Sequence, residues 1–511
     1  MHWADAFAKS LSGVQRISTG ISPSGPIHVG NMREILTGDM IYKAALRRGL
    51  EADFIYLCDD MDPLRKVYPF LSSDYEKYVG KPIYRIPSPD GNGSYSEHFL
   101  KPFLETLDTI NVKVDVIRTS GLYAQGKFAD AIRTVIGKKD IVSGILKKVS
   151  GRELEKDWSP YQAICSECGS IAKTKMTGFE DPFVLYRCAI CQHEGRADIR
   201  RDDGKLPWRL EWPAKWKILN VTVEPFGKDH GAAGGSYDTG KAIAQEIFGK
   251  TPPAPLLYEW ILLKGKGAMH SSTGNVIPAE EFVRFTPPMV LRFLIAKNNP
   301  SRHIELDPAL GLLNLVDEFE KYLAAYFGTD SVADPDFRDV VWYSSIGREP
   351  YSQEVSFRHL VNLIQIYPGG TKLLNALKKS GYSGNTIDSE MKHLIEVARY
   401  WLDTYAPESV KFRLMKEDDP VSLDEAGKSI LSAFMARMDA IDWTADSIHN
   451  TVHDIIKGLG VDPAVGFSAF YKIFIGRDRG PRLGYFLSNL DRSFAARRIA
   501  FSLGMAKHVG K

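Results

Sequence analysis

Apolar positions along the chain follow two regimes. Up to about residue 300, short apolar runs alternate with segments of helical spacing. Residues 17–21 form the first run, which enters a loop holding Gly20, Pro23, Gly25 and Pro26. From His28 onward, Met32, Ile35, Leu36 and Met40 mark one face of a helix that Gly49 stops. Residues 52–57, 112–117, 218–226 and 256–263 read as further strands. Helices are expected at 95–110, at 121–150 and from about Tyr237. This βαβα order predicts an α/β fold with a doubly wound parallel sheet. Beyond residue 300, helical periodicity dominates 308–328, 353–380, 388–415, 421–441, 446–459 and 464–475, which predicts an all-helical C-terminal body.

Composition narrows the function classes. The 511 residues are 44% hydrophobic and 25% charged with net charge +2, so the whole surface is not a polyanion binder. Such a length implies two to four domains. The N-terminus has no basic start followed by an apolar core, and no run of about 18 apolar residues occurs. A cytoplasmic protein without a membrane span is expected. Five cysteines are too few for a disulfide scaffold in a chain of this length. Charge is concentrated locally: residues 471–511 carry nine Lys/Arg against two Asp. Arg477, Arg482, Arg492, Arg497 and Arg498 are interleaved there with Tyr485 and Phe486. That pattern suits RNA loops, whose bases stack on aromatic and guanidinium planes; a solvated basic helix has the same composition.

Several stretches carry candidate chemistry. A strand, a glycine-rich turn and a helix with His28 at its entry would favour a phosphate at the positive end of the helix dipole. Asp59, Asp60 and Asp62 crowd the end of the second strand, where open α/β sheets place ligands, although turn chemistry alone also accounts for them. Cys58, inside an apolar run, reads as buried and inert. Cys165-Ser-Glu-Cys168 and Cys188-Ala-Ile-Cys191 are two knuckles with nineteen residues between them. They match a four-thiolate zinc ribbon, closed and therefore structural, holding a module of about 145–205. Trp208, Trp212 and Trp216 stand four apart. Pro207 and Pro213 argue against one unbroken helix, so these rings line either a core or a pocket. Gly227-Lys228-Asp229-His230 follows a strand, and Asp229 suits a ribose hydroxyl. Residues 264–275 combine lysines, hydroxyls and glycines as a phosphate lid would.

Taken together, these segments resemble the class I aminoacyl-tRNA synthetases, and among them the class I lysyl-tRNA synthetase family. Pro23-Ser-Gly-Pro-Ile-His-Val-Gly-Asn31 is similar to the first ATP-binding signature. Ala268-Met-His-Ser-Ser-Thr-Gly-Asn275 stands where the second belongs. Residues 59–66, 208–216 and 224–240, together with Ala398–Trp401, Tyr405–Glu408 and Gly480–Gly484, extend the likeness over nearly the whole chain. It implies a Rossmann-like catalytic domain in two halves, 1–144 and 206–300, around a connective insertion at 145–205. A stem-contact region (301–350) and a helical anticodon-binding domain (351–511) follow. The implied reaction is ATP-dependent attachment of L-lysine to tRNA(Lys) through a lysyl-adenylate, with magnesium accompanying ATP, structural zinc, and no membrane or DNA partner. It needs no protein nucleophile, only alignment and stabilisation of phosphate charge.

The resemblance assigns catalysis to His28, Asn31, Ser271 and Ser272. It gives nucleotide contacts to Ser24, Gly30, Asn31, Gly227, Asp229 and Met269, and lysine contacts to Gly20, Ser22, Trp208 and His230. Asp60 is added as a partner for a substrate ammonium, because an unpaired buried cation is costly. Cys165, Cys168, Cys188 and Cys191 are the metal ligands. Three positions depart from the family. Ser22 stands where threonine is common and keeps the hydroxyl. Ala268 and Thr273 stand where lysines usually hold pyrophosphate, and Lys264 or Lys266 just upstream would have to substitute. A tRNA-binding paralogue without ATP chemistry, or a class I synthetase for another amino acid, is the alternative.

Overall fold

The computed structural model describes every residue except 152, 155–157, 270–273, 348–349, 351–353 and 506–511. Two compact units emerge. One comprises Met1–Val283, Pro288–Leu306 and Ala325–Pro350, and the other Arg284–Pro287, Asp307–Ala324 and Tyr351–Lys511.

The first unit begins with α1 (Trp3–Ala8), β1 (Gln15–Ile21), α2 (Val29–Arg47) and β2 (Ala52–Cys58). α3 (Tyr95–Thr109) and β3 (Asp115–Arg118) follow. The helix expected at 121–150 is three: α4 (Thr119–Ala124), α5 (Ala129–Gly137) and α6 (Lys139–Ser150). The cysteine-bearing stretch folds as β4 (Gln162–Ala163), β5 (Thr174–Glu180), β6 (Phe183–Cys188), β7 (Glu194–Asp198) and β8 (Gly204–Lys205). After it come α7 (Trp208–Ile218), β9 (Val223–Gly227), α8 (Ser236–Glu246) and β10 (Ala254–Tyr258).

Five strands form one parallel sheet in the order β3-β2-β1-β9-β10. The order reverses between β1 and β9, so the crevice for a ligand lies at the carboxyl ends of those two strands. Strands covered on both faces read as apolar runs, and β2 is buried from Phe54 through Cys58. α2 lies unusually close to the sheet. A Cβ on Gly38 would meet Phe54 Cε2 at 2.7 Å and Thr19 Cγ2 at 2.8 Å.

Three expectations change. α7 is one helix despite its prolines: Pro207 caps it and Pro213 lies inside. Burial of every side chain from Leu210 to Trp216 outweighs the hydrogen bond that Pro213 forfeits. The strand expected at 218–226 starts only at Val223, since the helix runs to Ile218 and Asn220 turns the chain at φ 54°. The apolar run 256–263 is two strands in different sheets. β10 ends at Tyr258; β11 (Ile261–Leu263) pairs with β12 (Gly267–Ala268) and with β13 (Ile304–Leu306).

The cysteine module shares its core with the sheet. Tyr161, Cys165, Val184, Tyr186 and Cys188 belong to the same buried cluster as Ile55, Leu57, Tyr123 and Trp216.

The second unit is helical, with helices including Phe357–Ile366, Gly370–Lys379, Ser389–Thr404, Glu425–Arg437, Ala445–Gly458 and Pro463–Ile475. Part of its basic C-terminal stretch faces inward. Arg498 is fully buried, donating from Nε to Ile473 O at 2.7 Å and from Nη1 to Glu417 O at 3.1 Å. Arg497 pairs with Glu417 at 2.7 Å, and Arg477 donates to Glu408 O. Arg479, Arg482 and Tyr485 are exposed. Gly484 marks a close helix crossing, where an added Cβ would lie 2.2 Å from Ala445 O. Because the obstacle is backbone, Gly484→Ala should destabilise this unit by about 1–3 kcal/mol in urea unfolding, the usual cost of overpacking.

Candidate active site

The loop between β1 and α2 is strapped to the far end of the catalytic region. Val29 N–H donates to Ile277 O at 3.0 Å and Ala279 N–H to Ile27 O at 2.9 Å. His28 and Pro278 form an isolated antiparallel bridge. Two loops about 250 residues apart thus become one surface. Val29 N–H is consequently not among the donors open to a phosphate. His28 caps α2 and is nearly buried, at 8% exposure; its N–H donates to Asn31 Oδ1 at 3.1 Å. Gly30 is required by that ring. A Cβ there would fall 2.8 Å from His28 Cε1 and Nδ1, and 3.6 Å from Met269 Cε. The two candidate nucleotide residues Gly30 and Met269 therefore meet. Lys266 is exposed in the turn between β11 and β12, where its carbonyl accepts from Asn275 Nδ2 at 3.2 Å. Ser271, Ser272 and Thr273 lie outside the described residues.

At the switch point, Gly20 and Ser22 close β1, and Gly227 ends β9 with Asp229 and His230 after it. A Cβ on Gly227 would lie 2.6 Å from Asp229 Oδ1, so this glycine makes room for the exposed Asp229 carboxylate. Trp208 stacks on Trp212 with ring centres 5.1 Å apart and meets His230, tilted by 37°, at 5.2 Å. Ser24 is held through its carbonyl, which accepts from Tyr95 Oη at 2.8 Å.

The three aspartates after β2 now separate. Asp60 is almost wholly buried, and both its oxygens serve Ser120: Oδ1 accepts from the backbone N–H at 2.8 Å and Oδ2 from the hydroxyl at 2.5 Å. A substrate ammonium is expected at Asp60; in the structure its oxygens hold Ser120 at the start of α4. Asp59 and Asp62 belong to a charged cluster. Lys205 Nζ lies 2.6 Å from Asp62 and 3.2 Å from Glu211; Lys215 Nζ contacts Asp59 and lies 3.1 Å from Glu211. Burial alone would neutralise these groups. Instead the carboxylates hold both ammonium groups above their usual range, and Lys215 with Lys205 draws Asp59 below its own. Asp59 also orients Ser22, whose hydroxyl donates to its carbonyl at 3.1 Å.

Glu34 is a candidate that motif reading does not find. Its Oε1 accepts Gly20 N–H at 2.7 Å and its Oε2 accepts Tyr258 Oη at 2.7 Å. It is half-buried, and desolvation lifts its pKa to about 7, although both hydrogen bonds oppose the rise. An acid one turn into a helix otherwise buried nearly all round was the available signal.

The cysteines converge. Their Sγ atoms all lie within 4.8 Å of one another, with Cys165–Cys191 at 3.5 Å and Cys168–Cys188 at 3.6 Å. A tetrahedral zinc with ~2.3 Å bonds needs edges of about 3.8 Å, so the sulfurs fit such an ion.

Residues 1–346 match the sequence profile of the family described as tRNA synthetases class I (K). The chain belongs to that family. A lysine--tRNA ligase of Picrophilus torridus is 55% identical over 500 residues, covering 98% of this chain and 99% of its own. One of Thermoplasma volcanium is 55% identical over 504 residues, covering 99% of each. One of Thermoplasma acidophilum is 52% identical over 499 residues, covering 98% of each. As a class I tRNA synthetase the chain implies ATP and magnesium in general, and among the described residues no helix is long and apolar enough to cross a membrane. The charged cluster gives this site a measurable consequence. Lys215→Met leaves Asp59 and Glu211 buried with one ammonium fewer, which should cost about 3–5 kcal/mol in urea unfolding.

Proposed function

We propose that the chain attaches L-lysine to tRNA(Lys) in two steps. The lysine carboxylate attacks the α-phosphorus of ATP, giving lysyl-adenylate and pyrophosphate. A terminal ribose hydroxyl of the tRNA then takes the lysyl group and releases AMP. The observation that carries this reading is Glu34, a half-buried carboxyl at the switch point beside the phosphate loop. Among the described residues its hydrogen-bond partners are neutral, so a substrate ammonium would supply the missing charge.

In this reading Glu34 and Tyr258 receive the side-chain ammonium. Trp208, backed by His230, covers the aliphatic stem. Gly20 and Ser22 border the main-chain end of the substrate. Asp59 takes the role first given to Asp60: it is partly exposed, and Lys215 and Thr119 both bind its Oδ1, which leaves Oδ2 for the α-ammonium. His28 and the Asn31 Nδ2 group address the phosphates, while Gly30 and Met269 bound the nucleotide pocket. Ser24 lies in the same loop, and Asp229 at Gly227 reaches the ribose. Ser271 and Ser272 keep their proposed phosphate role. Lys266, exposed at the β11–β12 turn, replaces the signature lysines on pyrophosphate. Magnesium would shield the phosphate charge when it accompanies ATP. Zinc is the proposed ion of the four cysteines, a structural role. The Rossmann-like part at 1–144 and 206–300, the insertion at 145–205, the stem-contact region at 301–350 and the anticodon-binding helices at 351–511 remain the proposed division of labour. The exposed Arg479, Arg482 and Tyr485 support tRNA contact in the last of these.

Exchange of labelled pyrophosphate into ATP, run with each amino acid in turn, tests the proposal. Exchange should depend on lysine, and Lys266→Ala should slow it by at least roughly tenfold, or about 1.4 kcal/mol of barrier. Exchange with another amino acid, or none at all, would overturn the reading; an unchanged rate would remove Lys266 from it.

A further inference from the structure

Glu224 is the second residue of β9, buried at 4% exposure between Val223 and Pro225. Neither the phosphate loop nor the charged cluster uses it. Its two oxygens are divided between two indoles: Oε1 accepts from Trp212 Nε1 at 3.0 Å, and Oε2 accepts from Trp216 Nε1. Burial and the nearby Glu34 push its carboxyl up to about 8, against the pull of the two indole donors and Lys215. A carboxyl in a strand core is costly, and an apolar residue would fill the same place without loss. Its geometry serves the rings instead.

Trp212 is the hub of those rings. It stacks on Trp208 at 5.1 Å with 22° between planes and touches His230 at 5.8 Å, Trp216 at 5.0 Å and Phe226 at 5.5 Å. Trp208 and His230 are the half-exposed end of this stack, and Trp212 and Trp216 the buried end. Trp216 packs closely on α8 at Gly240, where an added Cβ would lie 2.9 Å from its ring.

We propose that Glu224 is a positioning residue that sets amino-acid selectivity, fixing Trp212 through its indole N–H and thereby the height of Trp208 over the substrate stem. This rests on the lysine reading above. Both oxygens must accept for both rings to be held. An amide has only one accepting atom, so Glu224→Gln releases one indole while keeping the side chain's volume.

The test is lysine-dependent pyrophosphate exchange on the full chain, comparing lysine with ornithine, one methylene shorter. Glu224→Gln should raise the KM for lysine by about fivefold or more and narrow the lysine-to-ornithine preference, with kcat and the KM for ATP within about twofold. Should that variant fail to fold, Trp212→Phe, which keeps a ring but removes the donated N–H, should give the same split. An unchanged lysine KM and preference in a folded variant would overturn the proposal, as would a fall in kcat with both KM values preserved. Absence of lysine-dependent exchange in the unaltered chain would instead overturn the underlying functional reading.

Discussion

The Glu34 carboxyl is the interaction on which the site depends. It joins α2, the end of β1 and the end of β10 through two 2.7 Å hydrogen bonds, at the one place where the strand order of the sheet reverses. Strands covered on both faces cannot leave a backbone N–H unpaired inside, and Glu34 satisfies that of Gly20 where the ladder ends. Satisfying a neutral N–H and a neutral hydroxyl does not require a charge. Burial accordingly lifts this carboxyl to about 7, against both hydrogen bonds. In the proposed reading, specificity for an amino acid with a terminal ammonium follows from that imbalance.

Around this centre, the acidic and basic groups sort by whether their charges are matched inside the protein. Asp59, Asp62 and Glu211 share Lys205 and Lys215, which sit almost wholly out of water. Glu224 and Glu34 have no such ammonium within hydrogen-bond reach among the described residues, and both shift upward. The matched cluster also ties the cysteine module to the site. Lys205 lies in β8, which pairs with β4 just before Cys165, and Lys215 reaches Asp59 beneath Ser22. The four-cysteine cluster thus has a structural path to the candidate site.

Much of this was legible in the sequence, and the rest was hidden for specific physical reasons. The parallel sheet, the helix entry at His28, the four-cysteine site and the helical second half all follow from periodicity and spacing. Helix boundaries near Pro213 failed because local propensity cannot weigh the burial of seven consecutive side chains. The run 256–263 misled because a chain that changes sheets keeps its apolar character on both sides of Glu259. Asp60 and Asp59 are neighbours with the same chemistry, and only packing distinguishes the one bound to Ser120 from the one beside Ser22. Arg498 counted toward a basic surface but lies inside, its charge spent on backbone carbonyls. Glu34 stood in plain view. Its partners come from positions 14 residues before and 224 after it, a separation no local pattern encodes.

In the proposed reading, lysine binding ionises Glu34. With a free-state pKa raised to about 7, this carboxyl is mostly neutral at lower pH, and an incoming ammonium favours its charged form. Binding must then expel a proton and tighten as pH rises through that value. Calorimetric titration of lysine into the protein at about pH 6.5, in two buffers of different ionisation enthalpy, reads that proton directly. Net proton release is expected that vanishes by about pH 9 and is absent in Glu34→Gln. Lysine binding with no proton exchange at the lower pH, or release that persists in Glu34→Gln, would contradict it.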